Sequence, residues 1–279
     1  MKKWNLIVDV ENCTNCNMCV LACADEYVGN EWPGYAAAMP KHGHRWINIE
    51  RKERGAAPMV DVAFVPVMCQ HCDNAPCMAA ARDGAIHKRD DGIVIIDPVK
   101  AKGQKQIVDA CPYGAVWWNE EKQLPQAWIF DAHLLDQGWK EPRAAQVCPT
   151  GAIRSLKAED AEMQQVVKDE ALSVLHPVHG TRPRVWYKNL HRFTHAFVGG
   201  TLARQADGVT DCVQGVTVRL MKDGRAVAET TSDAYGDFKI DRVPANSGAY
   251  TLEIAATTGA TKMIPVTLGE SVYVGTVMV

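Results

Sequence analysis

The stretch Cys13-Thr-Asn-Cys16-Asn-Met-Cys19-Val-Leu-Ala-Cys23 places four cysteines at the spacing C-x2-C-x2-C-x3-C. Spacers this short bring the first three thiolates to one point, and bacterial proteins use this spacing to bind [4Fe–4S] clusters. The fourth cysteine of such a run serves a neighbouring cluster, so the first three need a remote fourth ligand. This rule allows the other cysteines of the chain to be sorted.

A second cysteine triple lies in Cys69-Gln-His-Cys72-Asp-Asn-Ala-Pro-Cys77, where the second spacer has four residues instead of two. Ala81 stands where the fourth cysteine of a run would be expected. This triple therefore also needs a ligand from elsewhere in the chain.

Two Cys-Pro pairs can supply the missing ligands, Cys111 in ACPYGA and Cys148 in VCPTGA, because Cys-Pro is how the remote ligand of such a run ends. No cysteine triple precedes either pair, so the sequence indicates a four-site layout with two sites kept and two lost. If the runs nest as paired ferredoxin modules do, each kept cluster has four ligands. The predicted sets are Cys13, Cys16, Cys19 and Cys148 for one cluster, and Cys69, Cys72, Cys77 and Cys111 for the other.

The run that should precede Cys148 has Trp128, Asp131 and Ala144 at its ligand positions. Cys23 is then left without a cluster, and we expect it to be a small buried hydrophobic residue, as free cysteines commonly are. An empty cluster cavity would be destabilising, by about 24 cal/mol per Å³. We therefore predict that Trp128 fills it.

The composition indicates a soluble globular chain with room for two domains, with 279 residues, 47% hydrophobic composition and a net charge of -3. A chain without a basic excess is not expected to bind nucleic acid. No apolar run is close to the length of a membrane helix, which needs about 18 residues. The cysteine run begins too near the start of the chain to leave room for a signal peptide. We expect a cytoplasmic protein with no integral membrane segment.

Disulfides and zinc are the alternative uses of these cysteines. Disulfides belong to exported proteins. Zinc also binds C-x2-C pairs, but three thiols with a distant Cys-Pro suit it less well. His71 lies between two of the cysteines and is expected to be a loop residue or a hydrogen-bond donor to sulfur. Cys212, in a strand-like segment, is expected to be a core residue and not a ligand.

Three other features organise the chain before its tail. Residues 4–10 and 94–98 contain β-branched apolar runs that predict strands. Residues 155–173 carry apolar side chains at helical spacing, which predicts an amphipathic helix. The basic and aromatic segment 182–193 is expected to be an extended arm on the protein surface. No Ser/His/Asp set or phosphate loop stands out, so we expect a non-catalytic subunit.

From about residue 200, apolar and polar residues alternate, and Asp223-Gly224 between the runs is a hairpin signal. This spacing predicts an antiparallel β-sandwich. We therefore predict an α+β fold of two domains. A ferredoxin-like, double-module iron–sulfur domain would cover residues 1–198, and the β-sandwich would cover residues 199–279.

The chain resembles the iron–sulfur subunits that accompany molybdopterin enzymes of the dimethyl-sulfoxide-reductase class. The likeness rests on the cysteine layout, on CPYGA at residues 111–115 and on CPTGA at residues 148–152. The segments NEWPGY, HGHRWINIERKERG, GIVIIDP, CPYGAVWWNEE and AHLLD extend it over nearly the whole chain. They resemble segments of the small subunits in the pyrogallol–phloroglucinol transhydroxylase and resorcinol hydroxylase group. This resemblance implies that the predicted β-sandwich is a transthyretin-like or carboxypeptidase-regulatory-like domain.

The resemblance implies an electron-transfer subunit with two [4Fe–4S] clusters. Its partner would be a large catalytic subunit that holds molybdenum with two pterin guanine dinucleotides and hydroxylates a phenolic ring. An external electron acceptor is a further expected partner. The alternatives are electron transfer for another molybdopterin oxidoreductase, and a scaffold subunit whose clusters are structural.

A third cluster in that group would map to Cys23, Trp128, Asp131 and Ala144, and only one of these is a cysteine. Three clusters are therefore not expected in this chain. Sequence spacing does not decide whether the lost sites lie between the kept ones, and so whether the two clusters can exchange electrons.

Overall fold

The computed structural model of the chain describes residues 1–255 and 261–279. The chain divides into two compact units, Met1–Arg51 with Phe64–Leu190, and Lys52–Ala63 with His191–Val279. Helices are short and strands are numerous, which agrees with the coarse prediction of a mixed α and β protein. None of the helices in the described residues is long and apolar enough to cross a membrane.

The elements up to residue 190 alternate short strands with short helices. The strands are β1 (Lys3–Asp9), β2 (Ile47–Ala56), β3 (Met59–Met68), β4 (Ile86–Lys88), β5 (Val94–Ile96), β6 (Trp117–Asn119), β7 (Leu124–Gln126), β8 (Ile153–Ala158) and β9 (Val185–Lys188). The helices are α1 (Met18–Tyr27), α2 (Pro76–Ala80), α3 (Gln106–Asp109), α4 (Ala132–Asp136), α5 (Arg143–Gln146) and α6 (Asp160–Asp169). The predicted strands at residues 4–10 and 94–98 are confirmed as β1 and β5.

A three-stranded sheet in the order β8-β1-β9 supports the first cysteine run. Strand β1 is buried along its centre and leads directly into the cysteine loop. It pairs antiparallel with β8 and parallel with β9. The prediction of one helix over residues 155–173 was wrong at both ends, because 155–158 pair with β1 and the helix runs only from Asp160 to Asp169. The expected surface arm at 182–193 was also wrong, because β9 is a strand of this sheet.

Residues 191–279 form a helical turn, α7 (His191–Thr194), followed by strands. The strands are β10 (His195–Ala206), β11 (Val209–Cys212), β12 (Thr217–Lys222), β13 (Arg225–Thr231), β14 (Asp237–Pro244), β15 (Gly248–Ala255), β16 (Thr261–Leu268) and β17 (Val272–Met278). The sequence-based boundary at residue 198 falls inside β10. Residues 52–63, the tip of the β2–β3 hairpin, also belong to this unit. The sequence does not show this, because no local pattern indicates that a hairpin tip packs with residues far along the chain.

The strands of the second unit form two four-stranded sheets, β11-β10-β14 with β17 beside β10, and β13-β12-β15-β16. The predicted hairpin at Asp223-Gly224 joins β12 to β13, and both residues have positive φ, as a tight hairpin turn requires. Pairing is antiparallel except between β10 and β17, which are parallel. Apolar side chains from both sheets form one core, which includes Val198, Leu202, Phe238, Val218, Leu220, Leu252 and Ile254.

A buried arginine holds the tip of the β2–β3 hairpin within the second unit. The Arg54 guanidinium donates to Asp61 at 2.6 Å and to Asp241 at 2.7 Å. Burial alone would raise the pKa of Asp61, but hydrogen bonds from Arg192 and Arg54 outweigh it and lower this pKa to about 2. Arg54 therefore has a structural role in this hairpin.

Candidate iron–sulfur sites

The first cysteine loop is shaped by two asparagines in the left-handed conformation. Asn15 has φ 57° and Asn17 has φ 61°, values that asparagine tolerates better than most residues. Asn17 directly precedes α1, so the chain turns sharply between Cys13 and Cys16 and then enters the helix that carries Cys19. The loop thus collects its thiols at the start of α1.

The structure brings Cys148 to this first triple. Helix α5, just before Cys148, packs against α1. Burial, with smaller contributions from Cys13, Cys16 and Cys148, raises the pKa of Cys19 to about 12. Burial also raises the pKa of Cys13, to which Cys148 and Cys16 add. Because these thiols affect one another's pKa electrostatically, the four thiols of the first predicted set lie close together.

The second predicted set also forms one neighbourhood. Burial raises the pKa of Cys77 to about 12, and the nearby Cys111 and Cys72 add to it. Burial raises the pKa of Cys69 well above its usual range, with further contributions from Cys77, Cys72 and Cys111. Burial raises the pKa of Cys72 to about 11, although a hydrogen bond with Thr181 opposes the shift.

This environment stabilises protonated thiols, because burial disfavours the thiolate. Iron must therefore displace protons on binding, and the thiolates gain their stability from the metal. All ten cysteines are free, with no disulfide among them. Each group gathers four thiols, the number of cysteine ligands that a [4Fe–4S] cluster takes. Cys19 and Cys72 are buried, Cys16 is exposed and the others are half-buried.

The spacing within each group also bears on zinc. Among the described residues, no set of three or more His, Cys, Asp or Glu side chains is compact enough to hold a single metal ion. A tetrahedral zinc site needs its sulfurs within about 4 Å of one another, since each zinc–sulfur bond is about 2.3 Å. A cluster distributes its four thiolates over four irons and needs a wider arrangement.

His71 lies between two ligands of the second group and is buried, with only 1% of its surface exposed. Its Nδ1 accepts a hydrogen bond from the Val94 amide at 3.1 Å, and lies 3.8 Å from the Cys69 sulfur. Burial, followed by the charges of Lys88 and Arg184, lowers the pKa of His71 to about 3. The neutral ring thus carries its proton on Nε2, so the expected hydrogen bond from His71 to sulfur would have to come from this nitrogen.

The His71 Nε2 atom has no hydrogen-bond partner among the described residues. A buried N–H without a partner is costly, and such atoms often mark a missing ligand. Because His71 also touches Cys69, a bound cluster would supply sulfur acceptors in this neighbourhood. A cluster held by the second group would thus lie near the His71 ring, where Nδ1 and not Nε2 makes the contact with Cys69.

The central part of the chain, residues 60–158, matches the family described as a 4Fe-4S dicluster domain. Over 259 residues the chain is 44% identical to the pyrogallol hydroxytransferase small subunit of Pelobacter acidigallici, covering 92% of each chain. The chain belongs to the iron–sulfur electron-transfer subunits of the molybdopterin oxidoreductase family. Two other members show how broad this family of iron–sulfur subunits is.

A tetrathionate reductase subunit from Salmonella typhimurium is 30% identical, covering 67% of this chain and 73% of the relative. The arsenate respiratory reductase iron-sulfur subunit of Shewanella is 25% identical, covering 65% of this chain and 94% of the relative. Neither likeness extends over as much of this chain as that to the Pelobacter protein.

This iron–sulfur subunit also brings together the four positions at which the sequence predicts a lost third site. Cys23 lies one helical turn after Cys19 on α1 and is 4% exposed, so its predicted burial is confirmed. Ala144 is buried on α5, which packs against α1. The backbone amide next to it, of Arg143, donates to the Asp131 carboxylate at 2.8 Å.

Asp131 is the centre of the side chains that occupy this lost site. Its carboxylate accepts hydrogen bonds from the Tyr27 hydroxyl at 2.6 Å and from the Trp128 indole at 3.0 Å, besides the Arg143 amide. Burial raises the pKa of Asp131 even though these donors oppose the shift. Trp128 is 1% exposed, which confirms its predicted burial, and it stacks on Phe130 with ring centroids 5.1 Å apart.

A second set of polar and charged side chains, in which Glu26 and His133 are buried and Asp25 is exposed, joins the same region to α1. The Arg143 guanidinium donates to Glu26 at 2.5 Å and to Asp25 at 2.6 Å, and His133 lies 2.9 Å from Glu26. Sequence reasoning named Asp131 only as a lost ligand position and missed this network. The sequence signal that could have indicated this network is an aspartate at a predicted former ligand position, close in sequence to other charged residues.

Cys212 was predicted to be a core residue, and this was wrong. It ends β11, all of whose residues are exposed. The alternating pattern placed it on a strand correctly, but an edge strand need not bury either face. Cys212 is thus an exposed thiol in the second unit, remote in sequence from both ligand groups.

Replacing Cys23 with Ala is expected to leave the iron content unchanged, because Cys23 belongs to neither ligand group. Iron and acid-labile sulfide are measured in the anoxically purified complex. Cys19→Ala, one turn earlier on the same helix, is the matched control and should lose about four irons, one [4Fe–4S] cluster. Iron lost from Cys23→Ala in a folded protein would show that Cys23 is a ligand.

Proposed function

We propose that the chain carries two [4Fe–4S] clusters and transfers electrons within a molybdopterin-dependent hydroxylase or transhydroxylase of phenolic aromatics. One cluster would be held by Cys13, Cys16, Cys19 and Cys148, and the other by Cys69, Cys72, Cys77 and Cys111. The observation that carries the proposal is the gathering of eight cysteines into two groups of four.

The large partner subunit would hold molybdenum with two pterin guanine dinucleotides, and the aromatic ring would bind there. The 44% identity to the small subunit of pyrogallol hydroxytransferase supports this choice over other members of the family. Electrons would pass between the molybdenum centre and an external acceptor, or would set the redox state of that centre if the reaction has no net electron change.

When bound, the clusters supply one-electron chemistry. The chain's own residues hold them, exclude water and set the charge around them. Buried thiols become thiolates only when iron replaces their protons. The Lys88 ammonium donates to the backbone carbonyls of His71 and Cys72 at 2.8 and 3.0 Å. This positive charge beside the second group should favour its reduced cluster, because reduction adds negative charge.

We also propose the finer fold assignments. The first unit would be a ferredoxin-like double module, supported by the match to a dicluster domain at residues 60–158. The second would be a β-sandwich, supported by two sheets that share one core. A cytoplasmic location is the corresponding proposal, since ten free thiols suit a reducing compartment.

A redox titration of the purified complex, followed by electron paramagnetic resonance (EPR) under anoxic conditions, tests this function. We expect two cluster signals, each reducible at potentials accessible to biological donors. Clusters that stay oxidised at all such potentials would support a structural scaffold and contradict the proposal. A complex without molybdenum would contradict the proposed partner class.

A further inference from the structure

The side chains of the lost third site connect the two proposed ligand groups. At one end is Cys19, a proposed ligand of the first cluster. At the other end is Cys69, a proposed ligand of the second. Buried residues in contact with one another lie between them, and none of them is a proposed ligand.

The contacts begin on α1. Cys19 and Cys23 are four residues apart, which places them on the same face of the helix. Cys23 is buried one turn before Tyr27 on this helix, and the Tyr27 hydroxyl donates to the Asp131 carboxylate at 2.6 Å. Asp131 then accepts the hydrogen bond from the Trp128 indole at 3.0 Å.

Aromatic rings complete the connection. The ring of His71 lies 5.9 Å from that of Trp128 and 5.5 Å from that of Phe130, measured between centroids. Trp128 and Phe130 stack on each other. His71 in turn contacts the Cys69 sulfur at 3.8 Å. The interior between the two groups is thus filled with packed side chains and aromatic rings.

We propose, on the basis of the proposed function, that the side chains filling the lost third site provide the electron path between the two clusters. One electron leaves a reduced cluster and enters the oxidised one, so one cluster is oxidised as the other is reduced. No side chain changes its net oxidation state, and no proton is transferred. The path runs through Cys19, Cys23, Asp131, Trp128, His71 and Cys69.

The physical basis is electronic coupling through contacts. Tunnelling is faster through bonds, hydrogen bonds and packed rings than through an open gap of the same length. A dense interior supplies such contacts at nearly every step. Trp128 is the central member, because it makes both the hydrogen bond to Asp131 and the ring contact with His71. Tyr27 supports it by holding Asp131 in place at 2.6 Å.

The test measures electron exchange between clusters in the anoxically purified complex. A flash of light on a flavin photoreductant introduces less than one electron per complex. Rapid freezing followed by EPR then records how the electron redistributes between the two cluster signals. Trp128→Leu should slow this redistribution several-fold, while iron content and both equilibrium signals stay as in the wild type.

Trp118→Leu is the matched control, because Trp118 is outside the path and contacts Lys105 instead. It should redistribute at the wild-type rate. Trp128→Phe keeps an aromatic ring and loses the indole N–H to Asp131, so it should also be slower. If Trp128→Leu loses a cluster, the rate of electron redistribution in Trp128→Phe tests the path instead.

The outcomes separate this inference from the proposed function. A wild-type complex without two reducible clusters would overturn the proposed function itself. Two intact clusters in the variants, with wild-type rates of redistribution, would overturn the path and leave the two-cluster proposal standing. Slower redistribution in Trp118→Leu as well would also overturn it, because the effect would then not be specific to the path.

Discussion

Replacing Cys148 with Ala is expected to remove one cluster and leave the other in place. Cys148 is the proposed remote ligand of the first group, and α5, just before it, packs against α1. A cubane with three protein thiolates is open to solvent at its fourth iron and is readily lost. The second group takes its remote ligand from Cys111 and should be unaffected.

Iron analysis of the anoxically purified complex measures this result. The iron that belongs to this subunit should fall from about eight atoms to about four, as expected for one [4Fe–4S] cluster in place of two. Cys212→Ala is the matched control, because this thiol is exposed in the second unit. It should keep all of its iron.

Two results would contradict the nested assignment of ligands. Loss of both clusters from a protein whose circular dichroism is unchanged would mean that Cys148 supports both sites. An iron content equal to that of the wild type would mean that Cys148 is not a ligand. Retention of the second cluster's EPR signal identifies which cluster was removed.

Replacing Asp131 with Ala is expected to destabilise the first unit by about 3 kcal/mol or more, because three buried donors lose their acceptor. These donors are the Tyr27 hydroxyl, the Trp128 indole and the Arg143 amide. Asp131→Asn keeps the volume and one oxygen but directs an N–H at the Arg143 amide. Its expected cost is smaller, about 1–3 kcal/mol.

Thermal bleaching of the cluster absorbance, followed under anoxic conditions, reports the stability of this unit. Asp109→Ala removes an exposed carboxylate of the same unit and is the matched control, with an expected change within about 0.5 kcal/mol. A wild-type bleaching temperature in Asp131→Ala would show that the donors find other partners. The proposed role of Asp131 in filling the lost site would then be wrong.

The grouping of the eight thiols into two sets could be predicted from sequence, because short cysteine spacers restrict where the thiols can point. The rule that each triple needs a remote ligand then led from Cys19 to Cys148, across most of the first unit. Burial of Cys23 and Trp128 followed from the cost of an empty cavity. In each case a local pattern or a strong chemical requirement determined the answer.

The rest depended on tertiary contacts that leave no local pattern. Residues 155–158 have the spacing of a helix, but pairing with β1 makes them a strand. The bonds of Asp131 join residues as distant as Tyr27 and Arg143. Whether the lost site lies between the two groups is a question of space. The contact between Trp128 and His71 places the predicted lost third site beside the second group, and our proposed electron path rests on it.

Iron, acid-labile sulfide and molybdenum in the anoxically purified native complex test the two-cluster account most directly. After subtraction of any iron in the partner, this subunit should contain about eight irons and a similar amount of sulfide, as two [4Fe–4S] clusters require. Molybdenum should be present once per complex. About twelve irons would mean that a third cluster survives despite Trp128 and Asp131, and zinc without iron would contradict an electron-transfer role altogether.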